Sequence, residues 1–382
     1  MKKTADSHAR IPWKAILVQV AVLVGIAVVL GLAARMAMLK IASQQTASGF
    51  GFLSNSAGFD ISESVIAFES QMSYGRAILA GFINTLVCAA VAAAAATVLG
   101  LGMGLARLST NFLLRNVTLG ISEAIRNVPL LLQLLVWYAL VINVFPVPRE
   151  AEPLWGWWFT NRGVFIPAIK MPAESLSAWL LPILAAACAL VYWKVAPRLI
   201  NASLRVRKVL AILTVCAILG LLLAWAYGGE VSRPKLQGFN ISGGISLSPE
   251  MAAMIIGLGV YSSAFIGEVI RSGVLAVPTG QVEAAYALGL TPLHRVRFIV
   301  LPQALRLVLP PLSNIYLSLG KNTSLGVAIG FPDLSSVIAT TINQSGHAIE
   351  GVLIQVVAYL LMSFTVWFAI SAYDKRTNYV LR

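Results

Sequence analysis

A lysine and three polar residues interrupt one of the apolar stretches of this chain, the run 307–331, at Lys321-Asn322-Thr323-Ser324. Successive residues of a helix point in different directions, so these four side chains cannot all face lipid, and a charge inside a membrane usually faces a bundle interior or water. The pattern predicts a polar path in which the ammonium of Lys321 meets a substrate carboxylate. Its candidate residues are Lys321, Asn322, Thr323, Ser324 and Glu268. An ion pair between Lys321 and Glu268, or a lysine that extends to the outer surface, is the alternative.

A basic loop between two apolar helices carries the second set of candidates. It contains Glu283-Ala284-Ala285, then Gly289 six positions after the glutamate, and ends at Leu301-Pro302. Gly289 can take the left-handed conformation that ends a helix, and Thr291-Pro292 suits the start of another. We therefore expect two short helices with a bend, where the small alanine side chains let another protein approach the backbone. The alternative for Glu283 is an ordinary first-turn glutamate, favoured by the helix dipole.

The elements that must position these residues are membrane helices. Hydrophobic residues make up 58% of the chain and charged residues 11%, and the mean hydropathy is +0.82, values that exclude an ordinary soluble domain. Apolar runs near the length needed to cross a bilayer recur along the chain. The sequence predicts an all-α integral membrane protein with about eight transmembrane helices, in the runs 15–34, 77–106, 127–148, 175–193, 209–229, 251–267, 307–331 and 351–373.

The distribution of basic residues predicts the orientation of these helices. Most of the 28 Lys and Arg residues fall in alternate connecting segments, on the side that also holds both termini. The positive-inside rule then places both termini in the cytoplasm, and the net charge of +13 is an orientation signal that does not indicate nucleic acid. The first run is longer than the apolar core of a usual signal peptide, which favours an uncleaved span.

The sequence contains no pattern for catalysis or metal binding. Gly320-Lys321-Asn322 lacks the Ser or Thr and the first glycine of a phosphate-binding loop, so we expect no ATP site, no cofactor and no enzymatic activity in this chain. The three histidines are scattered, which predicts no metal site. Cys88, Cys188 and Cys216 all fall in predicted spans and are interpreted as packing residues.

The segment from Glu283 to Pro302 resembles the EAA loop of binding-protein-dependent ABC importers, the permease segment that docks on the ATPase. The match includes Gly289 and the closing Ile299-Val300-Leu301-Pro302 with the spacing of that family. Other segments resemble the polar amino acid branch of these permeases: Asn84-Thr85-Leu86, Arg126-Asn127-Val128-Pro129-Leu130, Lys321-Asn322-Thr323-Ser324-Leu325 and Ala328-Ile329-Gly330-Phe331-Pro332-Asp333-Leu334.

This resemblance implies a permease subunit that carries polar L-amino acids across a bacterial inner membrane, of the general L-amino acid or glutamate/glutamine/aspartate type. It implies four kinds of partner besides membrane lipid: an ABC ATPase dimer, a second permease subunit (a copy or a paralogue), a periplasmic amino acid-binding protein and the amino acid itself. The residues implied in ATPase coupling, within a loop at 279–303, are Glu283, Ala284, Ala285, Gly289, Leu301 and Pro302.

The resemblance also suggests a division of the chain. Residues 73–148 and 251–382 contain the five-helix importer core, formed by spans 2, 3, 6, 7 and 8, and the second of these parts holds the EAA loop. Residues 1–72 add a helix and an external segment, and 149–250 insert a pair of helices with a Trp-rich external loop.

Two other functional classes remain as alternatives. A secondary transporter driven by an ion gradient would show inverted repeats and several intramembrane carboxylates, and neither is evident. A membrane structural or channel subunit would need no coupling loop.

Two charged pairs, Glu268 with Arg271 and Glu123 with Arg126, are interpreted as i,i+3 ion pairs.

Overall fold

Helices form most of the described part of the chain, and the longest of them are apolar, as the hydropathy pattern predicts. In the computed structural model, which describes residues 13–43, 49–170 and 230–377, they include four helices long enough to cross a membrane. The helices are α1 (Trp13–Ser43), α2 (Tyr74–Arg107), α3 (Phe112–Asn127), α4 (Leu130–Val144), α5 (Pro249–Leu275), α6 (Thr279–Ala287), α7 (Pro292–Arg295), α8 (Leu301–Asn322), α9 (Leu334–Ser345) and α10 (Ala348–Thr377). Short 3-10 helices at Phe50–Ser54 and Thr323–Ile329 and a π-helical turn at Val296–Val300 complete the set.

The described residues account for four or five membrane crossings. Four stretches have the required length and hydropathy, Tyr74–Arg107, Pro249–Leu275, Pro292–Ile329 and Ala348–Phe368, and the pair α3–α4, bent by 105°, makes a fifth if it counts as one span. The predicted number of eight is not confirmed. Helix α1 contains the first predicted run, 15–34, and the predicted spans 175–193 and 209–229 lie outside the described residues.

Short β-strands at the two ends of the predicted insertion show that the all-α prediction was wrong in this region. The strands are β1 (Trp158–Thr160), β2 (Gly163–Ile166), β3 (Ala168–Lys170), β4 (Glu230–Ser232), β5 (Lys235–Gln237), β6 (Asn240–Ser242) and β7 (Ile245–Leu247). All pairings are antiparallel, in the order β1-β2-β7, β3-β4 and β5-β6.

Glycines at tight positions explain why this segment pairs as strands. Gly163 has a φ of +121° and lies so close to β7 that an added Cβ would be 2.1 Å from the carbonyl oxygen of Leu247. Gly244, with a φ of +69°, is equally close to the carbonyl of Ile166. Only glycine permits this approach of the two backbones. The described part of the molecule is therefore mostly helical with a small β region.

The centre of the bundle is the contact between α2 and α5, which pack along most of their length. On α2 the residues that face α5 are small and recur every fourth position: Cys88, Ala92, Ala96, Gly100 and Gly104, all buried. A Cβ on Gly104 would lie 2.9 Å from the carbonyl oxygen of Gly267. Small residues thus bring the two helix backbones together, and such packing is how helices associate where lipid removes the hydrophobic driving force.

Buried polar groups tie the N-terminal end of α2 to two other segments. The side-chain amide of Asn84 donates to the carbonyl oxygens of Glu63 (2.8 Å) and Pro332 (3.0 Å) and accepts from the N–H of Val65 (3.0 Å). Thr85 accepts from the N–H of Leu334 at 3.0 Å. Because both side chains are fully buried and a buried polar group without a partner is costly, these bonds fix the segment before α2 and the turn before α9 against the same helix.

Candidate functional site

The loop between α5 and α8 folds as two short helices with a bend, which confirms the predicted local structure. Helix α6 ends at Ala287, and Gly289 has a φ of +74°. The hydroxyl of Thr291 accepts a hydrogen bond from the N–H of His294 at 3.4 Å, and Pro292 is the first residue of α7. Each feature follows from its residue type, since glycine tolerates a positive φ and proline lacks the N–H that the first helical turn leaves unpaired.

The structure separates the six coupling candidates into an exposed and a buried group. Glu283, Ala284, Gly289 and Leu301 are exposed, Pro302 is half-buried, and Ala285 is only 2% exposed. Ala285 therefore packs inside the loop and offers no docking surface, contrary to the expectation for both alanines. Glu283 is the fifth residue of α6, beyond the first turn, so the alternative of a first-turn glutamate was wrong.

Large apolar side chains stand out from the same loop. Tyr286, Leu288 and Leu293 are 70–80% exposed, and the guanidinium of Arg295 lies 5.3 Å from the ring centroid of Tyr286. Exposed apolar clusters of this kind mark contact surfaces for other proteins. Sequence reasoning did not identify these three residues, although Tyr286 and Leu288 alternate with the small residues of the motif.

Glu268 lies in a cluster of arginines at the end of the bundle that leads into this loop. Its carboxylate pairs with Arg271 at 2.8 Å and with Arg107 of α2, and its distance to Arg126 of α3 is 3.9 Å. Arg126 also pairs with Glu123 at 3.3 Å. Both predicted i,i+3 pairs are confirmed. The structure adds that one carboxylate joins α2, α3 and α5.

Glu268 pairs with these arginines and not with Lys321. The alternative that the two residues pair is wrong, because Glu268 is occupied by arginines and no carboxylate of the described residues lies within 4 Å of the Lys321 ammonium. As a path candidate Glu268 is accordingly separate from the other four.

Lys321 instead lines a cleft between α8, α9 and α10, about 440 Å³ in volume. Its other polar residues are Ser324, Ser335, Gln355, Tyr359 and Ser363. Gln355 donates to the hydroxyl of Ser335 at 2.9 Å, and that hydroxyl is 3.0 Å from the hydroxyl of Tyr359. An exposed lysine beside hydroxyl and amide groups can bind a carboxylate and orient it by hydrogen bonds.

The remaining polar residues of the predicted path have local roles. Asn322 is half-buried and ends α8, and the buried hydroxyl of Thr323 donates to the carbonyl oxygen of Gly320 at 3.0 Å. Ser324 donates to the carbonyl of Lys321 at 2.9 Å and still lines the cleft. The four residues therefore share one turn, but only Lys321 and Ser324 line this cleft.

Asp333 forms the buried wall behind the cleft. It is fully buried, accepts from the N–H of Ser336 at 2.8 Å and caps α9, and the hydroxyl of Tyr359 donates to its second oxygen at 3.5 Å. Burial raises the pKa of this carboxyl from 3.8 to about 6, in spite of the hydrogen bonds that favour its charged form. Gln355 and Tyr359, which connect the cleft with Asp333, were missed; their only sequence signal is an i,i+4 pair of polar residues within an apolar helix.

Comparison of the sequence with known proteins shows the family to which the chain belongs. Residues 178–379 match the family model described as the binding-protein-dependent transport system inner membrane component. The chain is 39% identical to YhdX of Escherichia coli (strain K12), over 88% of this chain and 86% of that protein, whose name assigns it to the amino-acid ABC transporter permeases.

Two further relatives match over similar lengths. The general L-amino acid transport system permease protein AapQ of Rhizobium johnstonii is 36% identical, over 93% of this chain and 91% of that protein. The glutamate/glutamine/aspartate/asparagine transport system permease protein BztB of Rhodobacter capsulatus is 30% identical, over 95% and 93%. The chain therefore belongs to the family of binding-protein-dependent transport system inner membrane components, and it is a multi-pass permease subunit of an ATP-driven ABC importer.

Proposed function

We propose that this permease carries polar L-amino acids, that it is coupled to its ATPase through the 279–303 loop, and that its substrate passes the Lys321 cleft. The observation that carries the coupling role is the shape of the loop. It combines a bend at Gly289 with exposed Tyr286, Leu288 and Leu293 at the end of the bundle where Glu268 joins three helices.

The coupling residues act in different ways in this proposal. Glu283 and Ala284 are exposed and meet the ATPase directly, and Gly289 keeps the two short helices at the required angle. Ala285 packs beneath them, and Leu301 and Pro302 begin α8, to which the movement is passed. ATP is hydrolysed on the separate ATPase dimer, and this chain supplies the path.

The cleft supports an amino acid as the substrate. An α-carboxylate is the one group that every L-amino acid shares, and Lys321 supplies a cation with no carboxylate partner in the described part of the chain. The hydroxyls of Ser324 and Ser335 and the amide of Gln355 suit a polar side chain or an ammonium group. AapQ and BztB are named for general L-amino acids and for glutamate, glutamine, aspartate and asparagine, which fits this chemistry.

The remaining parts of the proposal concern assembly and topology. Both termini lie in the cytoplasm, as the basic residues predict, and the chain pairs with a second permease, either a copy or a paralogue. A periplasmic amino acid-binding protein delivers the substrate. Residues 73–148 and 251–382 form the transport core, and 1–72 and 149–250 are additions to it.

Uptake of radiolabelled glutamate, glutamine and leucine into vesicles tests this function. ATP is supplied inside or omitted, the external binding protein is added or omitted, and vesicles with the Gly289→Asp chain serve as the matched control. We expect uptake only with both ATP and the binding protein, and competition among the labels sets the substrate range. Uptake that follows an imposed ion gradient without ATP would instead establish a secondary transporter.

A further inference from the structure

Helix α3 exposes its apolar side and turns its polar side toward the protein, the reverse of an amphipathic helix in a soluble protein. Its apolar residues Leu113, Val117 and Ile121 recur every fourth position and are 70%, 52% and 52% exposed. Its polar side faces the protein, where Ser122 is buried and Arg126 contacts Glu268. A helix that turns its apolar side outward must meet an apolar surrounding, either lipid or another protein.

The direction of α3 agrees with a position along the membrane surface. The helix has 16 residues, about 24 Å at 1.5 Å per residue, and its axis is bent by 105° from that of α4. Because α4 carries most of the apolar run 127–148, which the sequence predicts to cross the membrane, this bend points to an α3 nearly parallel to the membrane plane.

The neighbours of α3 show at which end of the helix bundle it lies. It begins five residues after the end of α2, and Arg126 joins it to the end of α5 that leads into the 279–303 loop. Helix α3 therefore lies at the end of the bundle that carries this loop.

The composition of the exposed face favours lipid over a protein partner. At about 100° per residue, the arc of about 120° that holds Leu113, Val117 and Ile121 contains no polar residue, and the exposed Arg115 and Glu123 lie outside it. Contact surfaces between separate proteins usually combine apolar and polar groups. The apolar surface also continues into the span through the exposed Val128 and Leu132. Because this apolar surface of α3 continues into that of a lipid-facing span, we expect lipid to cover both.

We propose that α3 is an interfacial helix whose face formed by Leu113, Val117 and Ile121 is buried among lipid acyl chains, on the membrane side where the ATPase docks. Amphipathic helices that lie in the interface bind in this way, with the apolar face in the boundary between headgroups and chains. The helix then anchors the cytoplasmic end of the α2–α5 contact to the membrane through Arg126 and Glu268.

Spin labels at single cysteines test this arrangement in the assembled transporter in lipid nanodiscs. The labelled variants are Val117→Cys and Ile121→Cys, and Arg115→Cys is the matched control, because two residues of a helix differ by about 200° around its axis. Cys88, Cys188 and Cys216 are replaced first. Collision of each label with oxygen, which concentrates in lipid, is compared with collision with a polar nickel reagent.

We expect the oxygen-to-nickel ratio at positions 117 and 121 to exceed the ratio at 115 several-fold. Equal ratios at the three positions would overturn the proposal. Nickel access at 117 in the permease without its ATPase that is absent in the assembled transporter would show a protein partner instead. Protection from both reagents would show that another segment of the transporter covers this face. Either result would also overturn the proposal. Uptake by each labelled variant confirms that the transporter measured is folded.

Discussion

Substitution of Gly100 by alanine tests whether backbone contact between α2 and α5 stabilises the bundle. An added Cβ would lie 2.6 Å from Cγ2 of Ile266 and 2.9 Å from the carbonyl oxygen of Ser263. Ordinary contact begins at 3.4 Å, so the helices would have to separate by about 0.8 Å (3.4 − 2.6). Ile266 is fully buried and the second atom belongs to the backbone, and neither can move aside cheaply.

Gly102 provides the matched control two residues further along the same helix. A Cβ there meets nothing within 4 Å, and both variants gain the same helix propensity, about 1 kcal/mol for glycine to alanine. Their difference therefore isolates the steric term, which for extra volume in a packed core is about 1–3 kcal/mol. We expect Gly100→Ala to lower the free energy of unfolding by that amount relative to Gly102→Ala.

Thermal unfolding of the purified transporter in detergent measures this difference. The Gly100→Ala variant should melt below Gly102→Ala, which itself should melt at or above the unchanged protein. Equal melting temperatures for the two variants would refute the reasoning, because the predicted contact would then not restrict the distance between α2 and α5.

Three other predictions concern the site. Gly289→Asp should leave membrane insertion intact but abolish uptake and uncouple the ATPase, since a side chain at a φ of +74° costs about 1–2 kcal/mol and distorts the bend. The control variant Gly280→Asp changes a glycine in open space without a positive φ, and it should retain more uptake. Near-normal transport by the Gly289 variant would argue against the coupling role. Lys321→Met should lower uptake while ATPase binding stays unchanged, as measured by co-purification, and unaltered uptake would return Lys321 to a structural role. Because burial raises the pKa of Asp333 from 3.8 to about 6, the folded protein retains this proton to higher pH than the unfolded chain, so stability should fall by up to about 3 kcal/mol as pH rises from about 4 to 6. Unfolding of Asp333→Asn, which keeps the cap of α9, should lack that decline, and an equal decline would assign it to other groups.

Local chemistry made the fold of the 279–303 loop predictable from its sequence. Gly289 and Thr291-Pro292 each specify the conformation of their own neighbourhood, so the bend and both short helices follow without reference to the rest of the molecule. The apolar runs of α2, α5, α8 and α10 were recognised for a similar reason, since hydropathy over one segment decides whether that segment suits lipid.

The contacts between distant segments could not be predicted in this way. Glu268 pairs with Arg107 across 161 positions of the chain, and nothing in either sequence neighbourhood shows that the ends of α2 and α5 meet. Ala285 and Ala284 are adjacent and identical in type, yet one is buried and one exposed, because the fold of the loop decides which side faces inward. The polar cleft was found only through Lys321, since Gln355 and Tyr359 become neighbours of Ser335 when α10 packs on α9.

The pairing of β3 with β4 has a consequence for how the chain tolerates change. Lys170 and Glu230 are opposite each other in this pair, so the chain departs and returns at points only about 5 Å apart. A segment whose two ends lie this close together can join β3 and β4 without pulling the strands apart. We therefore expect that a reporter domain with neighbouring termini, joined between Lys170 and Glu230, leaves this strand pair intact.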